Sequence, residues 1–305
     1  MKRVMSVSLG SSTRDHSVET EFLGVKFLIE RIGTNGDMDK AIKLIREYDG
    51  IVDAFGLGGI DLYIFAAGKS YTFRDAARIA GAATKTPVVD GSGLKNTLER
   101  RVILYLQNEM KMNFQNKKVL MVSAVDRPGM AESLWQAGAQ MNFGDLIFGL
   151  GIPISISSMK AFERLTKILV PIVVKLPFKM LYPTGEKQEK IKPKYAEHYL
   201  NADIIAGDFH FIRRYMPETL KNKWIITNTV TTKDVELLRE RGVSVLVTTT
   251  PELNGRSFGT NVMEGVLIAL AGKSPAQMTE QDYSDMLDKI GFKPRIINFS
   301  FEQAG

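Results

Sequence analysis

The chain has no cysteine. That excludes disulfides, thiolate nucleophiles and cysteine-ligated zinc or iron–sulfur centres, and it fits a reducing, cytoplasmic setting. Long apolar runs are missing too. The longest stretch without a charge, Leu146 to Met159, is 14 residues. It is too short to cross a bilayer, and the opening MKRVMSVSLGSS lacks the apolar centre of a secretory signal. Only three histidines occur, His16, His198 and His210. None has metal-ligand spacing such as H-E-x-x-H, so no metal site is expected. Neither a G-x-S-x-G elbow nor a P-loop is present. A general excess of positive charge is also absent. Between Lys160 and Lys194 nine Lys or Arg stand against Glu163, Glu186 and Glu189, and that surplus equals the whole net charge of +6. The rest of the chain is balanced, which argues against a nucleic-acid partner and marks one local basic segment.

What is present suits a sizeable core: 305 residues, 44% of them hydrophobic, enough for two domains or one large one. Short apolar runs alternate with helical spacing. Strands are expected over Arg3–Leu9, Val25–Ile32, Val52–Leu57 and Val88–Val89, with helices over Met38–Tyr48, Arg74–Ala83 and Leu94–Met110. Thr34-Asn35-Gly36-Asp37 is turn chemistry that can also cap the first helix. A βαβ unit follows in Lys117–Asp145: a strand over Val119–Val122, a helix over Gly129–Ala137 and a second strand ending at Asp145. Ser157-Ser158 can cap a helix over Met159–Val170, limited by Pro171. Strands over Asp203–Ala206, Trp224–Thr227 and Val243–Thr248 then alternate with helices over Phe209–Tyr215 and Lys233–Arg241. Helices over Val262–Ala271 and Thr279–Ile290 and a last strand over Arg295–Phe301 complete the pattern. This predicts an α/β protein with a parallel sheet and crossover helices. The expected division is residues 1–112, 113–272 with a basic insertion at 157–194, and a C-terminal part, 273–305, returning to the first domain.

Ligands of such sheets bind at the C-terminal strand ends. Ser123, Asp145, Asp208, Asn228, Thr249 and Thr250 fall there. The loop Ala124-Val125-Asp126-Arg127-Pro128-Gly129 occupies the place of the dinucleotide fingerprint G-x-G-x-x-G, with only the third glycine, Gly129, retained. Asp126 would repel a pyrophosphate unless Arg127 or a cation offsets it. Asp145 lies where a ribose-binding acid would sit. In Asp90-Gly91-Ser92-Gly93-Leu94-Lys95-Asn96 an acid, two glycines, Lys95 and Asn96 meet at a strand end and helix start, suited either to hold an anion or simply to cap the helix. Lys69 is a candidate general acid/base or a solvated lysine. Ser11 and Ser12, near His16, can bind hydroxyls or merely form a loop. Arg256 can pair with a carboxylate or phosphate, and Asn261 can bind cofactor or substrate or belong to a helix entry capped by Thr260. Met159–Lys179, apolar and basic, can lie on an anionic membrane or pack its apolar face inward.

The order of these pieces resembles the quinate/shikimate dehydrogenase family. The resemblance rests on Asp90-Gly91-Ser92-Gly93, the helix after it, the unit Lys117–Gly138 and the turn Thr249-Thr250-Pro251. It implies an N-terminal α/β substrate domain and a Rossmann-like parallel-sheet domain, with NAD or NADP as cofactor and a quinate- or shikimate-like cyclic acid as substrate. Asp90 would be the catalytic acid. Lys69 stands in for the family's lysine, because the Asn-Val-Thr-x-Pro-x-Lys motif is not found. Ser11, Ser12, Lys95, Asn96 and Arg256 would contact substrate. Ser123, Arg127, Gly129, Asp145, Thr249 and Asn261 would contact cofactor. The competing reading is a non-catalytic small-molecule binding or sensing protein on the same scaffold. Homo-oligomerisation is left open.

Overall fold

In the computed structural model, residues 1–66, 68–177, 191–250, 252–253 and 256–299 are described. Along them run β1 (Lys2–Ser8), β2 (His16–Phe22), β3 (Val25–Gly33), α1 (Met38–Tyr48), β4 (Ala54–Gly58), β5 (Tyr63–Ala66), β6 (Lys69–Thr72), α2 (Arg74–Ala80), β7 (Val88–Val89) and α3 (Ser92–Asn108). Next come β8 (Lys118–Met121), α4 (Pro128–Gln136), β9 (Gln140–Phe143), α5 (Met159–Val173), α6 (Ala196–Asn201), β10 (Ile204–Gly207), α7 (Phe209–Tyr215), β11 (Trp224–Thr227), α8 (Thr232–Glu240) and β12 (Val245–Thr248). The short pair β13 (Glu252–Leu253) and β14 (Arg256–Ser257), then α9 (Thr260–Ala271), α10 (Glu280–Lys289) and β15 (Arg295–Asn298), complete the order. The chain is α/β and divides into two compact units.

The first unit comprises Met1–Thr97, Leu169–Gln188 and Gly259–Phe292. Its sheet has the order β2-β3-β1-β4-β7. All pairings are parallel except β2 with β3. β1 is central, so Val4, Met5 and Val7 are buried on both faces, as a parallel strand covered on each side requires. The turn before α1 caps it as expected, through Asp37, which accepts the Lys40 N–H at 2.9 Å. α1 buries Ala41, Ile42 and Ile45. α9 packs on β1, β4 and β7. It is apolar nearly all round, and a helix of that kind must lie inside the core. β2 and the β5–β6 hairpin were not expected. β2 alternates half-buried and exposed residues, with no apolar run to announce it.

The second unit comprises Leu98–Ile168, Glu189–Phe258 and Lys293–Gly305. Its sheet has the order β15-β12-β11-β10-β8-β9, parallel except for β15 against β12. Counting from β8, this is a doubly wound order whose direction reverses between β8 and β10. Buried Leu120, Ile205, Ile225 and Leu246 from its strands form one core with Tyr199, Phe209, Ile212 and Leu238 from its helices.

Four boundary expectations are corrected. The first unit ends near residue 97 rather than 112, within α3. α9, assigned to 113–272, belongs to the first unit, because nine of its residues need a sheet face to cover them. The tail does not stay with the first unit: β15 supplies the sixth strand of the second. The basic insertion is divided as well, with Leu169–Gln188 grouped in the first unit. Locally, the strand expected to reach Asp145 stops at Phe143, and Asp145–Gly149 form one π-helical turn. α5 runs through Pro171 to Val173, since a proline in the last turn forfeits little of the helical ladder.

Candidate functional site

The C-terminal edge of the second unit's sheet gathers the strongest polar constellation. The loop after β8 ends in Arg127, which starts α4 and is buried. Its guanidinium binds three carboxylates of this unit: Glu99 of α3 through Nη1, Asp208 after β10 through Nη2 at 3.0 Å, and Asp126 beside Nε at 3.5 Å. Burial alone would lower the Arg127 pKa, but the charges of Glu99, Asp126 and Asp208 outweigh it and hold the group above its ordinary value. Asp208 also caps α7, accepting the His210 N–H at 2.8 Å, and it accepts the Asn228 side-chain amide at 2.8 Å. Asn228 accepts the Phe209 N–H at 3.1 Å. The Ser123 hydroxyl accepts the Asp208 N–H at 3.4 Å.

Asp145 faces the same loop. Its Oδ1 accepts the Val125 N–H at 2.9 Å, while Oδ2 is out of solvent with no hydrogen-bond partner. Burial pushes its carboxyl up to about 7, against the lowering effect of backbone N–H groups, with the Asp126 charge adding to the rise. The Thr249 hydroxyl is likewise enclosed without a partner. So Ser123, Arg127, Gly129, Asp145 and Thr249 belong to one unit and sit at or beside the ends of its strands. Asn261 does not join them. It lies in the first unit, where its amide donates to Ser6 Oγ at 3.0 Å.

The first unit arranges its candidates differently. Asp90 is held by four donors: Oδ2 by the N–H groups of Leu62 (2.5 Å) and Tyr63 (3.1 Å), Oδ1 by the Ser92 N–H (3.0 Å) and hydroxyl (2.6 Å). Gly91 N–H donates to Glu264 Oε2 at 2.7 Å, and Tyr283 donates to Glu264 Oε1 at 2.7 Å. A Cβ at Gly93 would stand 2.3 Å from Glu264 Oε1 and 2.8 Å from the Tyr283 oxygen. The Asp-Gly-Ser-Gly turn is therefore shaped by α9 and α10 packing against it. Burial, then the Asp90 charge, pushes Glu264 up to about 8. Lys95 is buried against Asp61 at 3.1 Å. Asn96 binds Glu280 at 3.1 Å. Ser11 caps the turn at Thr13, and Ser12 exchanges hydrogen bonds with Asn35. Lys69 is exposed, pairing with Ala66 at the tip of the β5–β6 hairpin. Tyr63, which contacts Asp90, is at the other end of β5, roughly 10 Å away at strand rise. The side chain of Arg256 and residues Pro251, Asn254 and Gly255 lie outside the described residues.

Glu99 and Glu264 were missed. Each carried a signal. Glu99 sits at helical spacing with Val102, Ile103 and Leu106, and Glu264 interrupts the apolar run Val262–Ile268; an acid on an apolar stripe must find a buried partner. Elsewhere, a cavity of about 290 Å³ is lined by Asp39, Ile42, Lys43, Arg46 and Arg78. It is not at a strand end. Among the described residues no three His, Asp or Glu converge as a metal site, and no helix is long and apolar enough to cross a membrane.

Residues 93–299 match the family model described as Domain of unknown function (DUF8754). The chain belongs to that family. A second model, Domain of unknown function (DUF8753), matches residues 3–90. The junction between the two falls in the Asp-Gly-Ser-Gly turn. No curated protein matches this DUF8754 member. It is similar to the crystal structure of a galactofuranose binding protein, at 12% identity and TM-score 0.39, covering 100% of this chain and 97% of that one. GanP, a glucose-galactose binding protein from Geobacillus stearothermophilus, is 8% identical with TM-score 0.37, covering 98% of each. A hetero-hexameric glutamate dehydrogenase from Thermus thermophilus is 11% identical with TM-score 0.43, covering 95% of this chain and 74% of that one.

The dehydrogenase expectation is corrected at this point. Two of the features it drew on are committed otherwise: Asp90 to four donors supplied by Leu62, Tyr63 and Ser92, and Arg127 to three carboxylates rather than to a phosphate.

Proposed function

We propose that this chain is a small-molecule binding protein whose ligand sits outside the C-terminal ends of β8 and β10, and that the ligand is a neutral, polyhydroxylated compound. The observation that carries this is charge arithmetic at the switch point. One guanidinium, Arg127, meets Glu99, Asp126 and Asp208, with Asp145 beside the same loop. Four carboxylates stand against one guanidinium there. A pyrophosphate or an acid would add negative charge to an already acidic edge, whereas hydroxyl groups would donate to it. Asp126, Asp208 and Asn228 are half-buried at that edge, while Arg127 and the Asp145 Oδ2 are closed off from solvent.

Calorimetric titration with pentoses, hexoses and polyols tests the reading, with NAD, NADP, quinate and shikimate as the contrasting set. The expected result is saturable binding of a neutral polyol, weakened on the order of tenfold by Asp126→Asn or Asn228→Ala, with no absorbance change at the nicotinamide band. Binding confined to dinucleotides or cyclic acids overturns it.

A further inference from the structure

We propose that the second unit carries a lipid-docking surface at residues 150–168, which seats on an anionic bilayer independently of the ligand site above. After the π-helical turn the chain emerges as an exposed stretch over residues 150–155. Leu150, Ile152 and Ile154 are 40%, 42% and 55% exposed, and Ile168 on α5 is 66% exposed. Scattered surface aliphatics are ordinary, but four within one short segment form a patch that water solvates poorly. The segment is held in place. Phe143 and Ile156 form a β-bridge, the Phe162 ring stacks on Phe143 at 4.5 Å, and Ser158 caps α5. Phe162 and Thr166 face inward. That leaves Lys160, Arg164 and Lys167 on the outer side at helical spacing, exposed, with Ile168 one turn from Arg164.

Charge selects the occupant. From Leu146 to Ile168 the only acid is Glu163, against Lys160, Arg164 and Lys167. A second copy docked by two-fold symmetry would set these cations against one another. An anionic lipid surface accepts both components at once, the aliphatic side chains entering the headgroup boundary and the cations meeting phosphate. Tyr195 adds an interfacial anchor, donating its hydroxyl to the Gly151 carbonyl at 3.4 Å with the Lys194 ammonium 4.7 Å from its ring. Amphipathic Tyr–Lys pairs are at home at that depth.

The test is co-sedimentation of the full chain with phosphatidylcholine vesicles, with and without phosphatidylglycerol, at low and high salt. Binding is expected only with phosphatidylglycerol, and lost at high salt. Ile152→Ser with Ile154→Ser should weaken it roughly tenfold per position. Neutralising Lys160, Arg164 and Lys167 to Gln should weaken it on the order of 100-fold, at about fivefold per charge. All five positions are at the surface, so unchanged far-UV circular dichroism and Tm are expected for both variants. The proposal is overturned by the absence of binding, by equal binding to neutral vesicles, or by binding that survives either variant. A dimer split by the two Ser substitutions, without lipid binding, overturns it in favour of self-association.

Discussion

Glu264→Gln is the most informative single change in the first unit. Glu264 is buried in α9 and takes hydrogen bonds from Gly91 N–H and the Tyr283 hydroxyl, both at 2.7 Å. Burial and the nearby Asp90 charge raise its carboxyl from 4.5 to about 8. Between those values the folded chain keeps a proton that the unfolded chain has released. Its contribution is therefore fully present below about pH 4.5 and is lost as pH rises through about 8. At about 1.36 kcal/mol per pH unit, the loss over that whole span approaches ~5 kcal/mol as an upper bound. Gln keeps an oxygen for Gly91 N–H and an amide able to donate to the Tyr283 oxygen, with no charge to bury. Urea unfolding followed by circular dichroism at pH 5, 6, 7 and 8.5 reads the difference. The parent should be the more stable at pH 5, and the variant should gain on it by about 2–4 kcal/mol by pH 8.5. A difference that stays flat across that range refutes the reasoning, because it means Glu264 titrates alike in the folded and unfolded chain.

Three further outcomes follow from the same physics. Asp145→Asn should remove a second, overlapping loss of stability: burial raises this carboxyl from 3.8 to about 7, so its contribution falls as pH rises through about 7, and the variant's stability should be flatter there. Arg127→Met strands the buried Glu99 carboxylate and should cost about 3–5 kcal/mol in urea denaturation, much of it recovered by adding Glu99→Met. Gly93→Ala drives a methyl into Glu264 and Tyr283 and should cost about 1–3 kcal/mol, read as a drop in Tm.

Much of the secondary structure was legible in local pattern. α1 runs over the residues its apolar spacing marked, with the cap on Asp37, and β11 and α7 also match their expected ranges. These elements have periods or caps that do not depend on distant residues. β2 was illegible because an edge strand of alternating polarity looks like loop until its partner is known. The carboxyl-terminal strand residues Ser123, Asp145, Asp208 and Asn228 were recognisable as a group, since strand ends follow from the strands themselves. For Asp90 the capping alternative was legible, and its bonds from Ser92 fit it. The Leu62 and Tyr63 N–H groups also converge on it, and no sequence spacing shows that.

The sequence by itself determined an α/β chain of alternating strands and helices, with a βαβ unit at Lys117–Asp145 and one basic segment, because periodicity and charge are local properties. Only the tertiary structure decided which unit each late element serves and which charges meet. α9 sits on the first unit's sheet, β15 on the edge of the second, and Arg127 among Glu99, Asp126 and Asp208. Residues as far apart as Glu99 and Asp208 come together only when a sheet aligns its strand ends. Whether an arginine is left for a ligand's phosphate or neutralised by the protein's own carboxylates is settled there, by proximity in a low-dielectric interior.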